Sequence, residues 1–112
     1  MNAKVYEQYN AAVVELQGRI EGGPFAQEFK NTLQDLLQKN KKNIVVDMSG
    51  INFINSNGIG ILVSGFTTVK NGGGELKLVN SSNKVTGVLA VTKLNQIFQN
   101  FESLEDALKS FG

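Results

Sequence analysis

Cysteine and histidine are both missing from these 112 residues. Without cysteine no disulfide can form, which fits a reducing cytoplasm. Without histidine there is no imidazole base, no histidine pH switch and no metal site of the Cys/His kind. Charge of one sign is not in excess either: 11 basic and 10 acidic side chains leave a net +1. A chain so balanced has no surplus of cations to neutralise a phosphate backbone, so nucleic acid is not an expected partner. No apolar run approaches the ~20 residues that cross a bilayer. The first residues, Met1 to Glu7, carry no apolar segment of signal-peptide length. The expectation is a soluble, cytoplasmic protein without membrane insertion. Hydrophobic residues make up 41 % and charged residues 19 %, which places the chain among ordinary globular domains rather than disordered ones. Its length suits one domain, residues 1–112, with one core.

What is present reads as alternating strands and helices. Val5 to Tyr9 and Ala11 to Leu16 predict an antiparallel pair joined near Asn10, with Glu15 marking a wet face. Gly18 and the Gly22-Gly23-Pro24 cluster break the chain. Phe25, Phe29, Leu33, Leu36 and Leu37 then recur at helical spacing to Lys39. Lys39, Lys41 and Lys42 read as a solvated helix end. Ile44 to Met48 and Leu76 to Val79 are short apolar runs of the kind found in strands covered on both faces. Between them, Ile59, Leu62, Val63 and Phe66 mark a helix that ends at Gly72-Gly73-Gly74. A helix over 83–91 and an extended segment over 95–98 are expected next. Ser103 then caps a last helix striped by Leu104, Leu108 and Phe111. A hairpin followed by this alternation implies an α/β fold with helices packed on a mixed sheet.

Asn55-Ser56-Asn57-Gly58 is the most informative segment, because it joins a strand to a helix and sets a hydroxyl at the helix entrance. Four readings of it compete. Asn57-Gly58 is a strong hairpin signal. Ser56 is a favoured helix cap. A serine on a strand-to-helix turn resembles a nucleophile elbow, although Ile54 stands in place of the first glycine and no histidine base exists. Finally, Ser56 can accept a phosphate, whose charge suits a helix N-terminus but not a partner's interface. Gly58 and Gly60 lack a third glycine at position 63, so the dinucleotide-binding pattern fails, and no cofactor or metal is expected.

The run from Val45 to Gly60, Val-Val-Asp-Met-Ser-Gly-Ile-Asn-Phe-Ile-Asn-Ser-Asn-Gly-Ile-Gly, resembles the central signature of STAS domains of the bacterial anti-sigma factor antagonist type. Leu16-Gln17-Gly18-Arg19-Ile20-Glu21 upstream and Gly73-Gly74-Glu75-Leu76-Lys77-Leu78-Val79 downstream extend the likeness. It continues through 84–98 to the last helix. The resemblance implies a single STAS-like α/β domain with a mixed four- to five-stranded sheet and about four helices, and no catalysis of its own. It also implies partner switching. The unmodified protein binds an anti-sigma factor that is a serine kinase, phosphorylation on Ser56 breaks that complex, and a PP2C-type serine phosphatase resets it. A non-switching STAS subunit of a lipid-transport or signalling assembly is the alternative. The sequence departs from the family at Asn55 and Glu21, where aspartate is usual, and at Asn57, where a small residue is commoner. Projection of the helix after Gly58 sets Ile61 on its exposed side beside Ser64 and Gly65. Asn55, Asn57, Gly58, Ile61, Ser64, Gly65 and Glu21 are thus the expected partner-binding residues.

Overall fold

The first strand, β1 (Asn2–Gln8), turns at Tyr9 and pairs antiparallel with β2 (Ala11–Ile20), Val5 lying opposite Val14. In the computed structural model, residues 2–9, 11–79, 100–101 and 103–111 are described; the expected elements over 83–91 and 95–98 fall outside them. From β2 the chain crosses through α1 (Pro24–Gln38) to the parallel strand β3 (Asn43–Ile54), then through α2 (Ser56–Asn71) to β4 (Glu75–Val79). Parallel neighbours need such crossovers, and the two helices supply them. A two-residue strand, β5 (Asn100–Phe101), pairs parallel with β4, and α3 (Leu104–Ser110) follows. The mixed sheet has five strands in the order β1-β2-β3-β4-β5. Among the described residues it carries three helices.

Alternation along the strands divides the core in two. Ala12, Val14, Leu16, Ile44, Val46, Met48, Leu76 and Leu78 pack against α1 and α2. Ala11, Val13, Val45 and Val79 face α3 through Ala107 and Leu108. Both faces of the central strands are therefore covered, which is why they read as continuous apolar runs. The wet face expected at Glu15 starts at that half-buried residue and continues in the exposed Gln17, while Val13 before it is sealed. Lys77 is also buried on the α3 side. Its ammonium donates to Ser110 Oγ at 2.6 Å and lies 4.2 Å from the Phe111 ring centroid, tying the last helix to β4.

Two expectations about boundaries are corrected. Gly18 does not end the strand; it lies inside β2 with φ 104, beside a register shift against β3. Glycine takes that backbone without strain, and β2 runs on past it through a shift in which β3 carries the extra residue, so Gly18 marks no break. And β3 does not stop at Met48. It continues through Ser49 and Gly50 to Ile54, paired with Gln17 to Ile20, and a β-carbon on Gly50 would lie 2.7 Å from the Leu16 carbonyl oxygen. At the chain's other predicted landmarks the reading holds: Gly72 caps α2, and Ser103 Oγ accepts from the Asp106 N–H at 3.2 Å. In the basic run, Lys39 pairs with Asp35 and Lys41 with Glu7, both at the surface.

Candidate functional site

The extra length of β3 carries the chain to Ile54 at the C-terminal end of the central strand, and α2 begins two residues later. Asn55 holds the junction. Its N–H donates to the Ile20 carbonyl at 3.3 Å, and its side-chain Oδ1 accepts from the Gly58 N–H at 2.9 Å. Its own carbonyl accepts from Ile59 N–H at 2.9 Å. Asn55 is therefore the helix cap, and Ser56 is the first helical residue, with its side chain exposed. The reading of Ser56 as the cap gives way, because an asparagine one residue earlier already meets the third N–H. The hairpin reading gives way to sixteen residues of helix.

This arrangement leaves the Ser56 and Asn57 N–H groups as first-turn donors without an acceptor among the described residues. No acidic residue sits in that first turn. The positive end of the helix dipole is thus uncompensated within the helix, next to an exposed hydroxyl.

Gly58 explains why the helix can start here. A β-carbon at this position would lie 2.1 Å from the Ile20 carbonyl oxygen, so only a glycine lets α2 approach the end of β2. Gly65, two turns on, plays the same part against α1, where a β-carbon would come within 2.6 Å of Phe29. These two close approaches turn the helix. Its buried positions are Gly58, Ile59, Ile61, Leu62, Gly65 and Val69, whereas Val63 and Phe66 are only half-buried. The expected exposure of Ile61 is accordingly corrected: it is 8 % exposed and Gly65 is buried. Hydropathy gives glycine almost no weight, so a packing face built on Gly58 and Gly65 is invisible to it.

Of the expected partner-binding residues, Asn57, Ile61, Ser64 and Gly65 do come together. They line one groove between α1 and α2, with Ala26, Phe29, Lys30 and Gly60. Ser56, exposed, directly precedes the lining residue Asn57, while Gly58 is buried. Gly60 meets nothing within 4 Å of where a β-carbon would stand, so its side of the helix is open. Glu21 is set apart, in a neighbouring cleft with Arg19, Gly22, Pro24, Phe25 and Glu28. Its carboxylate bonds Arg19 at 2.7 Å, which holds Glu21 below and Arg19 above their ordinary pKa values. The Arg19 guanidinium also lies 4.0 Å from the Phe53 ring centroid. The loop between the two clefts is close to both, since a β-carbon on Gly22 would sit 3.6 Å from Asn57 Cβ. Sequence reasoning missed Lys30, Phe29 and Arg19 at this end of the fold. They arrive from segments remote in sequence, and only the sheet order reveals them.

A five-stranded mixed sheet with two crossover helices on one face and a serine at the start of the second defines a class. The chain belongs to the STAS domain family, whose profile matches residues 2–107. A protein described as a candidate anti-sigma factor antagonist from Thermotoga neapolitana is 28 % identical over 80 residues, which is 71 % of each chain. The crystal structure of a candidate anti-sigma factor antagonist from Thermotoga maritima superposes with a TM-score of 0.84 at 22 % identity, covering 96 % of this chain and 92 % of that one. The Bacillus cell fate determinant SpoIIAA, solved in its phosphorylated form, gives 0.73 at 14 % identity, covering 99 % and 100 %. At these identities the structural likeness speaks for the fold.

Proposed function

We propose that this chain is an anti-sigma factor antagonist without catalysis of its own, and that a phosphate on Ser56 decides whether it holds its partner. The partner is an anti-sigma factor with serine kinase activity, and a PP2C-type phosphatase returns the protein to its binding form. One observation carries the reading: Asn55 makes the cap, so Ser56 is left exposed at the start of α2, one residue before Asn57 of the α1–α2 groove. Family membership and the relatives' description as anti-sigma factor antagonists support it.

The energetics favour a switch that leaves the fold alone. A phosphate at the first turn gains roughly 0.3–2 kcal/mol from the dipole and the first-turn N–H groups. Covered by a partner, the same charge costs several kcal/mol unless a cation meets it. Among the described residues, Lys30 is the one cation lining the groove. A net penalty of about 3–4 kcal/mol corresponds to a two- to three-decade loss of affinity.

Calorimetric titration with the anti-sigma factor tests this. Ser56→Ala is expected to bind as the wild type does and to stay bound when ATP is added, whereas Ser56→Asp binds at least tenfold more weakly. Equal binding by Ser56→Asp and wild type, with the complex insensitive to ATP, would favour a permanent STAS subunit of a larger assembly and overturn the proposal.

A further inference from the structure

The large hydrophobic side chains exposed among the described residues are Val5, Tyr6 and Tyr9, at 46 %, 36 % and 86 %. All three belong to β1 and its turn. β1 ends the sheet, hydrogen-bonded to β2 on one side, and its residues 3–8 are exposed throughout. A seven-residue edge presents alternate backbone N–H and carbonyl groups outward, ready to pair with another strand.

We propose that β1 pairs antiparallel with β1 of a second copy, about a twofold axis through Val5, joining two sheets edge to edge. Such an axis, normal to the sheet, keeps every side chain on its own face. Opposed residues must then share parity, so the axis passes through a residue rather than between two. The possible centres differ sharply in charge. Centring on Lys4 opposes two lysines, and centring on Glu7 opposes two glutamates. Centring on Tyr6 sets Val5 against the second copy's Glu7. Only the Val5 centre pairs all seven residues of the strand, and it opposes no like charges. It stacks Val5 on its own counterpart, on the face shared with Val14, and places Lys4 opposite the second copy's Tyr6 twice over.

The rest of the edge suits that register. Lys4 already lies across from Glu15 of its own chain, so it would sit between a carboxylate and an aromatic ring. Glu7 is bridged by Lys41 at 2.9 Å and would face the small Ala3 of the other copy. α2 packs over β2, β3 and β4, so pairing at β1 leaves Ser56 open in both copies. The inference goes beyond the switching proposal and stands or falls without it.

Sedimentation velocity on the full chain tests it. Wild type is expected to be a dimer, while Val5→Lys and Val5→Glu are each monomeric with unchanged circular dichroism. Because residue 5 faces itself, mixing the two variants restores a one-to-one heterodimer. A monomeric wild type at its highest soluble concentration, a dimer that survives Val5→Lys, or a mixture that stays monomeric would each overturn the proposal. An edge that binds extended segments of other proteins instead would give the first of these results.

Discussion

Two glycines on one helix, a half-turn apart, are expected to respond to alanine in opposite ways. At Gly58 the new methyl meets the Ile20 carbonyl oxygen at 2.1 Å. That oxygen is backbone and cannot rotate aside, so the start of α2 must retreat by about 1 Å, an overpacking that costs roughly 1–3 kcal/mol. Alanine's better helix propensity returns about 0.5–1 kcal/mol, leaving a net loss near 1–2 kcal/mol. At Gly60 the methyl meets nothing within 4 Å, so only the propensity gain operates. Gly60→Ala should then stabilise by about 0.5–1 kcal/mol. The difference between the variants, roughly 2–3 kcal/mol, amounts to about 10 °C in melting temperature for a domain of this size. Urea unfolding followed by circular dichroism reads both values on one slope. Equal stability of the two variants would mean that α2 does not approach β2 as described, and the account of its register would fail.

Three more substitutions probe the site and the face behind it. Asn55→Ala should cost about 1 kcal/mol by stripping the cap from the Gly58 N–H, whereas Asn55→Asp should keep that bond, gain from the dipole and be at least neutral; equal loss in both would deny the capping role. Lys77→Met should be close to neutral, because Ser110 keeps its own bond to the Ala107 carbonyl and Glu75 remains in water, while Lys77→Ala leaves a cavity and loses about 2–4 kcal/mol in the same unfolding assay. Burial raises the Tyr6 pKa, and the Glu15 and Asp47 charges add to it. Tyr6 therefore stabilises the fold fully below the unfolded phenol's value of about 10, and that contribution is lost as pH rises through the higher folded value. Glu15→Gln should move the phenolate absorbance titration of Tyr6 downward, and an unmoved curve would contradict the assignment.

The strands and first helix were legible because burial writes itself into hydropathy. Ile44 to Val46 and Leu76 to Val79 are covered on both faces and read as unbroken apolar runs, and Phe25, Phe29, Leu33 and Leu36 repeat at helical spacing on the side of α1 that is buried. The Ser103 cap was legible through local chemistry. Glycine hid the rest. Gly18 looked like a break and lies inside β2 beside a register shift; the apolar run stops at Met48, yet β3 runs on through Gly50. Gly58 and Gly65 turned α2 away from the face that its larger apolar residues announced, burying Ile61. In each case a missing side chain matters through what approaches it, a long-range fact that no local pattern records. For the same reason Asn57, Ser64 and Gly65 could be grouped from one helix, but Lys30 and Phe29 opposite them could not.

Phosphate mapping tests the switching account most directly. The protein, incubated with ATP and the serine kinase anti-sigma factor from its own cells, is digested and analysed by mass spectrometry while the complex is followed by gel filtration. A single phosphate on Ser56, appearing as the complex dissociates, is the predicted result. Phosphate on another residue, or a complex that persists with Ser56 fully modified, would contradict it.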